Sequence, residues 1–228
     1  MKKVAFTLAC VLFAINITAQ DLDGYRLSGG AYISPKEYVL YLKLPFFKET
    51  FLKGKITTAK GRVVTPIDLR FDMFTNELQY LYNKRVYLVS EPVSEFILFE
   101  PIGDSIVEYK FRKYQLENHG KVEPVFCEVL YDGSIKLLKY VKKSEMNVSE
   151  MTQATTKKTF IDYEVLYLQQ EDKPLLKLDK NVKNLLSLIP FNKQQQVEDY
   201  IKLNKIKINN KEQLTNVLIF YDSLNPKF

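Results

Sequence analysis

The groups in this chain able to perform covalent or acid–base chemistry are few. The 228 residues hold two cysteines, Cys10 and Cys127, and one histidine, His119. A nucleophilic thiol needs an electropositive, partly exposed setting that favours the thiolate. In FCEVLYDGSIKLLKY (126–140), Cys127 has Val125 and Val129 on its own face of a strand, so it reads as a packed core cysteine. One histidine excludes a two-histidine zinc site, and Glu117, His119 and Cys127 lack tight metal-ligand spacing. His119, beside Gly120, reads as a solvated loop residue; a Cys127–His119 dyad would have to join that loop to a packed strand. No G-x-S-x-G elbow, P-loop or G-x-G-x-x-G is present, and Ser28 lies in a glycine-rich stretch with Gly29 and Gly30. The carboxylate pairs Glu91 with Glu95 and Glu171 with Asp172 resemble surface acids. These residues imply no cofactor, no metal and no catalytic set; the rival enzyme reading is a small hydrolase using His119 with a carboxylate or thiol.

The elements that carry these residues change character along the chain. All 8 glycines lie at or before Gly133. From Tyr38 to Tyr140, runs rich in Val, Ile, Tyr and Phe alternate with turn residues at roughly ten-residue intervals, the pattern of an antiparallel meander. Gly54 to Thr57 and Arg62 to Val64 flank a turn at Ala59-Lys60-Gly61, and Glu77 to Tyr82 and Arg85 to Val89 flank Asn83-Lys84. Asp132-Gly133 suits a two-residue type I′ turn, which would set Leu130 opposite Ile135, Val129 opposite Lys136 and Cys127 opposite Leu138. Residues 143–158 have few apolar positions and no period, and read as a long mobile loop. Phe160 to Gln169 resumes as a strand, and Leu175 to Leu178 follows a turn at Asp172-Lys173-Pro174. Beyond it, helices are predicted from about Val182, Lys193 and Lys211, capped by Asn181, Asn192 and Asn210. Leu214, Val217, Leu218 and Tyr221 form one apolar stripe on the last helix.

A binding surface can be argued at one hairpin. The Asn83-Lys84 turn places Tyr80 opposite Tyr87 and Tyr82 opposite Arg85, with all four side chains on one face. Tyrosine and arginine are enriched at binding hot spots, so this face could stack sugars or anchor a protein. The competing reading is that the rings cover a core edge.

The first 19 residues read as a cleaved signal peptide: Lys2 and Lys3 precede an apolar run from Val4 to Ile15, and Ala19 precedes Gln20. Cleavage before Cys10, as in a lipoprotein, would leave only Val4 to Ala9, too short an apolar run for a signal peptide. Cys127 would then be the mature chain's lone thiol, with no internal disulfide, and stability must come from an apolar core. The formal net charge of +6 falls to about +4 once Lys2 and Lys3 are removed. That charge is too slight and too dispersed for nucleic acid, though it allows mild peripheral attraction to an anionic membrane surface.

GKITTAKGRVVTPIDLRFDMFTNELQYL (54–81), FCEVLYDGSIKLLKY (126–140) and KEQLTNVLIFYDSL (211–224) resemble a widespread uncharacterised family of exported, β-strand-rich proteins of Bacteroidota. The shared features are a G-x-[IV]…G strand pair leading to L-x-[YF]-D, an E-V-L-Y-x-G-x-[IV]-x-L-L hairpin and a Y-[DN]-S-L terminus. The resemblance implies an envelope location in a diderm bacterium and brings no activity or site residues. Asp104-Ser105-Ile106 and Asp222-Ser223-Leu224 look like the short O-glycosylation motif of that phylum, Ser105 being the better placed, in a turn.

The sequence thus predicts an α+β protein. After the signal peptide (1–19), residues 20–180 form an antiparallel β-meander, a curved sheet or partly closed barrel, and residues 181–228 form helices packed on it. The function it points to is a non-catalytic binding or scaffold module in the periplasm or at the outer membrane, its partner an envelope protein or glycan. A lipid or glycan carrier using the curved sheet, and the small hydrolase, are the alternatives. Oligomeric state is not legible in the sequence.

Overall fold

The computed structural model describes residues 41–118, 120–149, 156–171, 173–178 and 182–224. Ten strands come first: β1 (Leu52–Thr58), β2 (Val63–Asp72), β3 (Glu77–Tyr82), β4 (Arg85–Leu88), β5 (Val93–Ile102), β6 (Ser105–Asn118), β7 (Lys121–Asp132), β8 (Ile135–Ser149), β9 (Thr156–Gln170) and β10 (Leu176–Lys177). Helices α1 (Lys183–Leu186), α2 (Phe191–Leu203) and α3 (Lys211–Ser223) follow. The strands form one open antiparallel sheet in the order β10-β9-β8-β7-β6-β5-β1-β2-β3-β4. The chain departs from a simple meander once, where it returns from β4 to pair β5 with the free side of β1. No described helix is long and apolar enough to cross a membrane.

The sheet bends sharply. In a flat sheet β2 and β7, four strand spacings apart, would lie about 19 Å from each other. The rings of Phe71 on β2 and Phe126 on β7 meet at 5.8 Å between centroids. The turn between β2 and β3 closes much of the remaining gap. There Asn76, at a φ of 58°, accepts from the Phe126 backbone N–H at 3.0 Å and donates to the Pro124 carbonyl at 3.1 Å. Inside the bend lies a first core of Ile56, Leu69, Phe71, Tyr80, Phe96 and Phe111 among others. A second core joins sheet to helices: Ile135, Leu137 and Leu168 cluster with Leu185, Val197, Leu214, Val217 and Tyr221.

Local chemistry explains several elements. Asn83 and Lys84 adopt φ of 48° and 62°, the left-handed pair a type I′ turn requires, so Tyr80 pairs with Tyr87 and Tyr82 with Arg85 as the sequence predicts. The stripe Leu214, Val217, Leu218 and Tyr221 is buried, and Asn210 caps α3 by accepting from the Gln213 N–H at 2.9 Å. Asn192 is not a cap: α2 begins at Phe191 behind Pro190, whose fixed φ suits the entry, with no side-chain cap. Asn181 lies outside the described residues.

Two expectations are corrected. The Asp132-Gly133 hairpin is not a two-residue type I′ turn. Its pairs are Asp132 with Lys136 and Tyr131 with Leu137, then Val129 with Leu138 after a bulge. Asp222 of α3 lies against this turn, where the Tyr131 hydroxyl and the Ser134 backbone N–H donate to its carboxylate. Residues 143–158 are likewise not one loop. Strands β8 and β9 pair from Ile135 with Gln170 out to Ser149 with Thr156, and 150–155 fall outside the described residues. Polar partners hold this apolar-poor arm: Lys143 meets Asp162 at 3.1 Å and Lys158 meets Glu145 at 2.6 Å. Tyr41 and Phe74 pack their rings on Phe160.

Candidate ligand-binding cleft

The hairpin singled out in the sequence contributes to the core. Tyr80 is 5 % exposed, stacks on Tyr87 at 5.4 Å, and belongs with Tyr82 and Tyr87 to the first core. Of the four residues Arg85 alone is fully exposed, because the bend of the sheet turns the tyrosine face inward. A cavity of about 350 Å³ beside the hairpin is lined by Thr65, Pro66, Asp68, Tyr80 and Tyr82, with Asp68 held by Lys53 at 2.9 Å.

The other candidates separate cleanly. Cys127 is 0 % exposed among Leu116, Val125 and Leu138, and burial pushes its thiol up to about 12, so it stays protonated at neutral pH. His119 and Asp172 lie outside the described residues, so the proposed dyad and the second carboxylate pair fall there. Glu91 binds Arg62, and Glu95 binds Arg112. Among the described residues no three histidine, cysteine or acidic side chains cluster as a metal site. Ser105 is exposed where β6 leaves the turn at Gly103-Asp104, whereas Asp222 of the second short motif accepts hydrogen bonds from the hydroxyls of Tyr131 and Ser134.

A larger site lies on the sheet face opposite the helices. Alternate residues of successive strands face the same way: Arg112, Tyr114 and Leu116 of β6; Val125, Cys127 and Val129 of β7; Lys136, Leu138 and Tyr140 of β8; Tyr167 and Gln169 of β9. The segment after β9 folds back with Leu175 against this face. Between β6 and that segment runs a cleft of about 800 Å³, lined by Tyr114, Leu116, Val122, Tyr167, Leu175 and Lys177 among others.

The cleft combines a neutral floor with a cationic margin. Burial raises the phenols of Tyr114, Tyr140 and Tyr167, so all three remain protonated at neutral pH. The Tyr114 hydroxyl is buried and has no hydrogen-bond partner; Arg112 stands near enough to pull its pKa partly back without meeting hydrogen-bond geometry. Arg112 spends its charge on Glu95 at 2.8 Å and Asp132 at 3.0 Å, and in turn holds the Asp132 carboxyl below the usual range. Lys113 sits over the Phe126 ring at 4.7 Å, on the opposite face of β6, and burial lowers its pKa. Lys136, Lys173 and Lys177 complete the margin. Among the described residues of the cleft, lysines and phenols stand beside the aliphatic surface of Leu116, Val122 and Leu175.

Sequence reasoning missed the cleft because its residues come from five segments. Their alternation was visible strand by strand, but the register that aligns them depends on the bulge near Leu130. Comparison with known proteins found no matching family model, no matching curated protein and no matching solved structure.

Proposed function

We propose that this chain is a non-catalytic binding protein of the cell envelope, exported by its N-terminal leader to the periplasm or outer membrane, and that it takes its ligand in the cleft between β6 and the 173–177 segment. The observation that carries this reading is the cleft itself, whose lining sets the apolar surface of Leu116, Tyr167 and Leu175 beside Lys136, Lys173 and Lys177. A volume of about 800 Å³ suits a small molecule. The leader's Lys2-Lys3 and apolar run support export. In this reading α1–α3 act as a rigid backing for the sheet, which the core shared by Leu137, Leu168 and Leu214 supports. It follows the carrier reading of the curved sheet more closely than that of a scaffold. The tyrosine hairpin is then a structural edge, and Ser105 an accessible acceptor for O-glycosylation.

Native mass spectrometry of protein extracted from its own envelope tests the proposal. Gln169 lines the cleft on the face that carries Lys136 and Tyr167 and belongs to no core cluster, so Gln169→Trp fills the site without disturbing the core. The wild-type protein should carry a non-covalent small molecule that Gln169→Trp loses. Equal occupancy in both proteins would place binding elsewhere, and an empty wild-type protein from saturating extracts would refute a small-molecule ligand.

A further inference from the structure

The charge and surface of the cleft narrow its ligand to one chemical class. Of the charged side chains around it, Arg112, Lys113, Lys136, Lys173 and Lys177 are cationic and Glu117 is anionic. Arg112 is neutralised by Glu95 and Asp132, and Lys113 reaches the opposite face. Among the described residues Lys136, Lys173 and Lys177 make no ion pair within 4 Å, and Asp132, which lies opposite Lys136, is bound by Arg112.

Their placement concentrates the charge. Lys136 on β8 lies opposite Gln169 of β9, while Lys177 on β10 lies opposite Tyr167 of β9. The two lysines thus flank β9 on the face that carries Tyr167 and Gln169. One end of the cleft offers cations. The rest offers aliphatic surface and neutral phenols. A neutral glycan would leave hydroxyls unpaired against Leu116 and Leu175, and a wholly apolar ligand would cover Lys136 and Lys177 without giving them an acceptor.

Resting on the binding-protein reading above, we propose that the cleft takes an anionic amphiphile, a carboxylate or phosphate monoester head held between Lys136 and Lys177 with its apolar body laid over Leu116, Tyr167 and Leu175.

Displacement of the neutral probe N-phenyl-1-naphthylamine from the purified full chain tests this. The competitors are dodecanoate, dodecyl phosphate, dodecanol and dodecyltrimethylammonium, each below its micelle concentration. The two anions should compete at least tenfold better than dodecanol, and the cation least. Octanoate, decanoate and dodecanoate should gain up to roughly fourfold in affinity per methylene, the worth of one buried CH₂. Lys136→Gln and Lys177→Gln should each weaken dodecanoate about tenfold and leave dodecanol unchanged, and Gln169→Trp should weaken all four. If dodecanol binds as tightly as dodecanoate and the glutamine variants change nothing, the anionic head is refuted while the cleft stands as the site. If Gln169→Trp binds dodecanoate like the wild type, or no amphiphile displaces the probe, the inference falls whatever ligand the native protein carries. The native mass spectrum then decides the binding reading by itself.

Discussion

Replacing Gly133 separates two explanations for a glycine in the β7–β8 hairpin. If it served a left-handed turn, alanine would cost about 1 kcal/mol and asparagine, which tolerates that region, would be nearly neutral. In the structure Gly133 does not have a positive φ; what it lacks is room. A Cβ there would lie 2.1 Å from Asp222 Oδ2 and 2.4 Å from Tyr131 Cε1. Relieving those contacts moves the carboxylate by an ångström or more. Asp222 Oδ2 accepts from the Tyr131 hydroxyl at 2.7 Å and from the Ser134 backbone N–H at 3.2 Å, and both would break. Hydrogen bonds to a charged group contribute about 1.5–3 kcal/mol each, and partial exposure of this site lowers the sum to about 2 kcal/mol. For a chain of this length that is a fall of about 4–8 °C in Tm. Urea denaturation of Gly133→Ala, Asp222→Ala and the double variant should give a coupling of at least about 1 kcal/mol, because alanine at 222 removes the nearest obstructing atom. Gly133→Asn should be at least as costly as Gly133→Ala. A neutral Gly133→Asn with no coupling to Asp222 would refute the packing argument and restore the turn explanation.

The remaining predictions follow from burial. The Cys127 thiol, raised from 9.0 to about 12, holds its proton in the folded state where the unfolded chain loses it, so its contribution is complete below pH 9 and lost as pH rises toward 12. Urea midpoints at pH 8, 10 and 11 should fall less steeply for Cys127→Ala than for the wild type, by on the order of 4 kcal/mol at the alkaline limit; parallel curves would contradict it. Tyr80→Ala should cost on the order of 3 kcal/mol and Arg85→Ala within about 0.5, so matching losses of Tm at both positions would show that the hairpin is not a core edge. Tyr114→Phe should stabilise the ligand-free protein by about 1 kcal/mol, because it removes a buried hydroxyl that has no hydrogen-bond partner. A ligand-free Tyr114→Phe protein that melts below the wild type would show that the hydroxyl is satisfied in the fold.

What could be read in the sequence was local. The positive-φ pair at Asn83-Lys84 and the cap at Asn210 depend on a few adjacent residues, and both stand as the residues imply. So does the stripe Leu214-Val217-Leu218-Tyr221, whose period fixes which face is buried. The errors arose where distant residues decide. Asp132-Gly133 carries a strong turn signal, yet the register there is bulged, and Asp222, 89 residues beyond Gly133, packs against the turn. The 143–158 stretch is too polar to look like strand, but β8 and β9 pair through their backbones and need only cross-strand partners such as Glu145 with Lys158. In the tyrosine hairpin the pairing follows from adjacent residues, but the choice between a recognition face and a core edge does not, since only the bend that brings Phe71 to Phe126 decides which side is inside. The cleft was hidden for the same reason: Tyr114, Lys136 and Lys177 are neighbours only once the sheet's register and bend exist.

Amide chemical-shift mapping of the ¹⁵N-labelled protein during titration with dodecanoate bears most directly on the claim that the cleft is the binding site. The account predicts saturable shifts confined to Arg112–Glu117, Val122, Lys136, Tyr167–Gln169 and Lys173–Lys177, with the amides from Tyr80 to Tyr87 unmoved. Shifts centred on that hairpin, or scattered without saturation over the surface, would contradict it.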